Sequence, residues 1–272
     1  MSATERLLEL TGGARVFDLG RPMFPGMPQS PNHPAYAHAL PRRHGDAVRE
    51  GGGSAANDLI VTGTHVGTHI DALAHVSQDG VLHGGIDAAE AQSGGKFLDL
   101  GVHTVEPWLC RGVLLDIQAA LGGTVCGDDH EVTPDELDAA VERQGVEPRP
   151  GDVVLIRTGW GRRFDDGAPF VGRETGTPGV GEAGALWLAR RRVRAAGAET
   201  IAFERIAPGA GHSVLLAHRV LLVDHGIHII ETMDLEELAQ AQAYEFLFVL
   251  TPLKLVGATG SPVRPLAVVA GD

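Results

Sequence analysis

The chain has 272 residues, with 22 Lys and Arg against 35 Asp and Glu. The resulting formal charge of −13 leaves no basic surface for a nucleic acid or an anionic membrane. Its 43% hydrophobic and 21% charged residues are a globular mixture long enough to bury a sizeable core. Thirteen His stand beside only two Cys, which excludes a disulfide framework or a thiolate cage, so any metal chemistry rests on His and carboxylates.

At the N-terminus, Glu5, Arg6, Glu9 and Arg15 interrupt any signal-peptide core. No stretch approaches the ~20 apolar residues of a membrane span, so the expected location is the cytoplasm. Arg15 to Leu19 predicts a strand. Pro22, Pro25, Pro28, Pro31 and Pro34 then recur every third residue, which suits an extended loop from Arg21 to Pro34. Arg42 to Asn57, with Gly51-Gly52-Gly53, reads as an exposed loop, flap or mobile linker. Leu59 to Thr64 reads as a strand that feeds a His-rich segment.

Val113 to Ile117 and Val153 to Ile156 are short apolar runs expected of strands buried on both faces. Between them, Thr133-Pro134-Asp135-Glu136 is a helix start, and that helix runs to about Gln144 before Gly145. A second helix is expected from about Gly181 to Ala196, on the spacing of Leu186, Ala189, Val193 and Ala196. Its Arg190, Arg191, Arg192 and Arg194 read as a solvated face in so acidic a chain. Thr200 to Phe203, Ile227 to Ile230, Glu245 to Leu250 and Leu266 to Ala270 complete the strands. Val214 to Val223 and Asp234 to Ala241 read as helical. One α/β domain over residues 1–272 is expected.

Several motifs fail. Gly94-Gly95-Lys96 lacks the first Gly and the Ser or Thr of a phosphate loop. His130-Glu131 has no second His at zincin spacing, and no Gly-x-Ser-x-Gly elbow exists. Cys110 and Cys126 read as filler rather than catalytic thiols. What survives is His65, His69, Asp71 and His75, four potential ligands or bases within eleven residues.

Full extension would separate the Cα atoms of His65 and Asp71 by ~20 Å, too far for one ion. A continuous helix would turn position 71 away from 65 and 69. The segment therefore has to bend, and Gly67 is the residue free to do so. His65, His69 and Asp71 then form a two-nitrogen, one-oxygen metal set with open positions, and His75 is better used as an acid/base.

His-x-Gly-Thr-His-x-Asp-x-x-x-His resembles the signature of the cyclase family of metal-dependent hydrolases, which includes kynurenine formamidases and isatin hydrolases. The resemblance extends over nearly the whole chain, through Asp18 to Pro28, Gly151 to Trp160, Ala198 to Glu204 and His218 to Glu231. It implies an α/β fold whose swivelling β/β/α or barrel-like β core is flanked by helices. It implies His65, His69 and Asp71 on one metal, with Asp71 bridging to a second position completed by His218 and Glu231. Mixed His and carboxylate ligation fits Zn²⁺ or Mn²⁺, one or two per chain, and the resemblance implies His75 as proton shuttle and assembly as a homodimer or homotetramer. His212 is a weaker competitor of His218.

Two positions depart from formamidases. Ser30 stands where they carry a stacking Trp, which argues against formylkynurenine, and Glu199 stands where relatives have Asp. The gap before Glu231 is also shifted by one residue. Met23 and Phe24 either line an apolar pocket or plug the core.

The expected reaction is hydrolysis of a small cyclic or N-acyl amide, or a lactone, by metal-bound hydroxide. A biosynthetic cyclase or dehydratase running the reverse ring closure is the nearest alternative. A non-catalytic metal- or ligand-binding protein is the third, and metal content separates it from the enzymes.

Overall fold

The computed structural model describes residues 2–123, 125–211 and 214–271. The strands used below are β1 (Arg15–Asp18), β2 (Ala37–Arg42), β3 (Asn57–Val61), β4 (His69–Asp71), β5 (Trp108–Asp116), β6 (Val153–Arg157), β7 (Ala195–Ala198), β8 (His228–Glu231), β9 (Glu245–Leu250), β10 (Gly260–Pro262) and β11 (Leu266–Val269). The helices are α1 (Ala3–Thr11), α2 (Pro134–Gln144), α3 (Glu182–Arg190), α4 (Leu216–His218) and α5 (Glu236–Gln240).

Nine strands form one curled half-barrel sheet in the order β1-β11-β9-β5-β6-β7-β8-β4-β10. The central β5, β6, β7 and β8 run parallel, and the strands on either side pair antiparallel. Alternate residues of the central strands feed two cores. Val113, Leu115, Val154, Ile156 and Ile229 face Leu137 of α2 and Leu188 of α3. Leu114, Val153, Leu155 and Ile230 face Phe17, Phe246 and Phe248. This double burial explains why the central strands read as unbroken apolar runs. The helix expected from Thr133 is α2, with Thr133 capping, Pro134 in its first turn and Gly145 left-handed at its end.

Two expectations are overturned between residues 181 and 203. The second helix stops at Arg190, and Ala195 to Ala198 leave it to become β7 between β6 and β8. Arg192 at φ 53° turns the chain out of the helix. Leu155 and Met233 close directly over Gly197, so the central strand needs small side chains there. Those small residues carry little strand signal of their own, and Val193 and Ala196 happen to fit helical spacing. Thr200 to Phe203 is correspondingly not a strand, because the chain turns there once β7 has ended.

Val214 to Val223 resolves into α4 followed by a π-helix over Arg219–Asp224. Arg191 lies on Trp187 and pairs with Asp138 and Glu147, so the arginine run is a surface feature. Cys126 is buried and its thiol is pushed up to about 12 by that burial, as expected of filler. Among the described residues no helix is long and apolar enough to cross a membrane.

Candidate active site

Gly67 adopts φ 69°, and this left-handed residue bends the His-rich segment back before it enters β4. The bend places His65 Nδ1 2.6 Å from Asp71 Oδ1, while His65 Nε2 lies 2.9 Å from Thr259 Oγ1. Gly260, opposite Asp71 in the β4–β10 pair, makes room for this ring: a Cβ there would come within 2.6 Å of His65 Cε1. After β4 the chain turns again, and His75 stacks on His65 with ring centroids 3.9 Å apart. His33, from the proline-rich loop, stacks on His65 at 5.4 Å.

The second half comes from β8 and α4. Antiparallel pairing sets Glu231 directly opposite His69, which brings Glu231 Oε2 3.3 Å from His69 Nε2. His218 Nε2 lies 3.1 Å from Glu231 Oε1 and 3.7 Å from Asp71 Oδ2. Glu204 holds His218 from behind: its Oε2 accepts from His218 Nδ1 at 2.7 Å and from the His218 backbone N–H at 2.9 Å.

These bonds settle the tautomers. A carbonyl only accepts, so His69 Nδ1 carries the proton donated to Gly67 O at 2.8 Å, and Nε2 is the ring nitrogen turned toward the site. Glu204 does the same for His218.

The charges are poised against one another. Burial alone would lower His69, but Glu231 and Asp71 outweigh it and push it up to about 9. His218 is likewise raised against its burial by Glu204 and Glu231. Burial would raise Glu231, with Asp71 adding to it, yet His218 and His69 bring it down to about 2. Asp71, 1% exposed, is held below the usual carboxylate range by the surrounding imidazoles despite its burial. Burial takes His75 the other way, down to about 3 against the pull of Asp71.

A divalent cation fits this donor set. His69 Nε2, Asp71 Oδ2 and Glu231 Oε1 are buried without any hydrogen-bond partner. Each such orphan costs ~1–3 kcal/mol, and three converging on one place call for a cation. Ligand atoms of His69, Asp71 and Glu231 lie within 4.8 Å of one another, as do those of His65, Asp71 and His75. Asp71 belongs to both sets. Nitrogen and carboxylate donors without thiolate suit Zn²⁺ or Mn²⁺.

All six residues singled out from the sequence and the resemblance therefore meet in one buried cluster. Their grouping is new: Glu231 joins His69 rather than His218 alone, and His75 stands at ligand distance from His65 and Asp71. His212 lies outside the described residues. Of the other candidates for the late position, His225 is exposed, and His228 donates from Nδ1 to the Asp71 carbonyl behind the site at 2.8 Å.

Sequence reasoning did not single out Glu204, Thr259 or His33, whose roles arise only from contacts distant along the chain. A cleft of about 720 Å³ is lined by Ser30, Pro31, Asn32, Ile201 and Ile206, among others. Met23 packs over Gly67 against the Met27 and Val66 core, whereas Phe24 is exposed.

The family model described as "Putative cyclase" matches residues 17–205. An isatin hydrolase of Roseibium aggregatum is 25% identical over 272 residues, covering 96% of this chain and 94% of that protein. A kynurenine formamidase of Bacillus cytotoxicus is 26% identical, covering 80% of this chain and 83% of that protein. A crystal structure described as a novel cyclase superposes with a TM-score of 0.86 at 29% identity, over 99% of this chain and 92% of that one.

Proposed function

Because the chain belongs to the cyclase family, we propose that it is a metal-dependent hydrolase of a small cyclic or N-acyl amide, or a lactone. In this scheme His65, His69, Asp71, His218 and Glu231 hold one or two divalent cations, and His75 moves the proton. The observation that carries the proposal is the convergence of the three unpartnered acceptors of His69, Asp71 and Glu231 in one buried place. A divalent cation held there supplies Lewis acidity toward a carbonyl and lowers the pKa of water.

The chain's own residues supply the rest. Burial holds His75 toward its neutral form, and in this scheme its ring accepts a proton from the attacking water and returns it to the leaving nitrogen or oxygen. Glu204 keeps the His218 ring turned so that its Nε2 faces Glu231 and Asp71. Ser30 lines the cleft with a small side chain instead of an aromatic ring, so a stacked aniline ring finds no platform there. Isatin hydrolase and kynurenine formamidase, named among the relatives, support cleavage of a C–N bond outside peptides.

Metal analysis of purified protein, followed by hydrolysis assays on cyclic amides, N-acyl amides and lactones, tests the scheme. Bound divalent metal and chelator-sensitive turnover are expected, with His75→Ala lowering kcat by ~10²–10⁴. Full turnover in His75→Ala across the panel sinks the proton role. No metal, with a melting temperature unmoved by chelator, sinks the enzyme.

A further inference from the structure

Gly94-Gly95-Lys96, which fails as a phosphate loop, closes a small hairpin in which Gln92–Ser93 pairs with Lys96–Phe97. Gly94 at φ 58° and Gly95 at φ 76° make its left-handed two-residue turn. Ser93 and Lys96 stand directly opposite in the pair and so share a face. The hairpin is docked on the body of the protein. Phe97 N–H donates to Gly257 O at 3.0 Å, and a Cβ on Gly257 would collide with that of Lys96. The Lys96 stem therefore lies against the segment that leads into Thr259.

Hairpin and segment enclose a cleft of about 520 Å³. Lys96 is the one charged side chain among the described residues lining it, beside the hydroxyls of Thr64, Ser93 and Thr259. The cleft at Ser30 carries Arg173 together with Glu174, and another hollow carries Arg194 together with Glu106. Here the cation comes without a carboxylate, in a chain whose formal charge is −13. An uncompensated ammonium among hydroxyl donors is matched by an anion.

Thr259 sets this cleft beside the metal-binding turn but outside it. Its carbonyl accepts from Ala72 N–H at 2.9 Å, and its Oγ1 lies 2.9 Å from His65 Nε2. His65 turns its other nitrogen, Nδ1, to Asp71, so the cleft meets the edge of the ring that faces away from the cation donors.

The donor set also selects the kind of anion. Lys gives a point charge with three donors, and each hydroxyl rotates to suit its partner. Donors from three separate segments suit a tetrahedral oxyanion, whereas a planar carboxylate is matched by the flat fork of Arg. The volume exceeds that of a single ion, and Phe97 and Ala258 on the wall leave room for an organic body.

We propose that this cleft binds a phosphate-type oxyanion, free or as the monoester of a small molecule, on Lys96 and the hydroxyls of Thr64, Ser93 and Thr259. The site is independent of the hydrolase scheme, because binding is read directly and stands whether or not His75 moves a proton.

Calorimetric titration of the purified protein with inorganic phosphate, and separately with phenyl phosphate, tests it. Saturable binding is expected, weakened ~10-fold or more in Lys96→Gln by loss of a charge-assisted bond and less in Lys96→Arg, which keeps the charge. Lys254→Gln, which removes the only other lysine, is expected to leave binding unchanged. Tighter binding of phenyl phosphate identifies a monoester as the ligand, and equal or weaker binding identifies the free ion; both support the site. No saturable binding of either anion overturns it. So does an equal loss in Lys96→Gln and Lys254→Gln, which is general charge attraction. Binding that survives Lys96→Gln and disappears with chelator belongs to a metal ion and overturns it as well.

Hydrogen exchange on the wild type guards against a variant that misfolds. Amides of residues 92–97 and 257–259 are expected to gain protection in phosphate over chloride of equal ionic strength. Exchange that is the same in both salts overturns the site.

Discussion

The two halves of the candidate site are built differently. His65, His69, Asp71 and His75 come from one eleven-residue stretch, gathered by the bend at Gly67 and a second turn after β4. His218, Glu204 and Glu231 come from three separate segments and meet the first half only because β8 pairs with β4 in one register. A one-residue slip of that pairing would point Glu231 to the opposite face of the sheet and empty the cluster of a carboxylate. The local half is set by a turn and the distant half by sheet register, so damage should spread differently from each.

The largest effect is expected at Asp71, which belongs to both ligand groups. Asp71→Asn should bring metal content to background by elemental analysis and depress hydrolysis beyond the ~10²–10⁴ expected of the His75 change. Retention of stoichiometric metal would show that the two halves do not share this carboxylate.

A smaller effect is expected behind the distant half. Glu204→Ala frees His218 Nδ1 and should weaken metal affinity ~10–100-fold in calorimetric titration. Glu204→Gln keeps an acceptor for the same N–H and should recover part of that loss. Equal affinity in both variants and wild type would mean that α4 and the π-helix orient His218 without help.

The smallest effect concerns Glu199, beyond the end of β7. Its Oε1 accepts from Thr158 N and Oγ1 at 2.8 Å, its Oε2 has no partner, and burial raises its pKa. A carboxyl raised in the folded state costs more to ionise there than in the unfolded chain. Its contribution is therefore kept below the unfolded pKa of ~4.3 and lost as pH rises through the folded value. Glu199→Gln should melt above wild type at pH 8, with the gap closing near pH 4. A gap that is the same at both pH values would show that ionisation of Glu199 is not its cause.

Much of this was open to inspection in the chain itself, unevenly. The strands β5 and β6 were readable because burial on both faces demands unbroken apolar runs, and β9 because Phe246, Phe248 and Leu250 turn alternately into the core. The start and stop of α2 were readable because Thr133, Pro134 and Gly145 act on their own backbone. β7 was not, since Ala195-Ala196-Gly197-Ala198 is chosen for the narrow space under Leu155 and Met233 rather than for strand propensity. His218 and Glu231 entered through family resemblance, because nothing nearby in sequence distinguishes His218 from His225 or His228. Glu204 looked like any other acidic residue until its hydrogen bonds to α4 were seen.

What the amino-acid order determined alone was the donor chemistry and the local bend: imidazoles and carboxylates without thiolates, gathered around Gly67. Tertiary structure decided which of them share a ligand position, because Glu231 reaches His69 through strand register and His218 is aimed by a carboxylate fourteen residues earlier. Contacts within a turn act over a few residues and leave their mark on the sequence. Contacts across a sheet depend on how distant segments bury their apolar faces, and no short stretch carries that information.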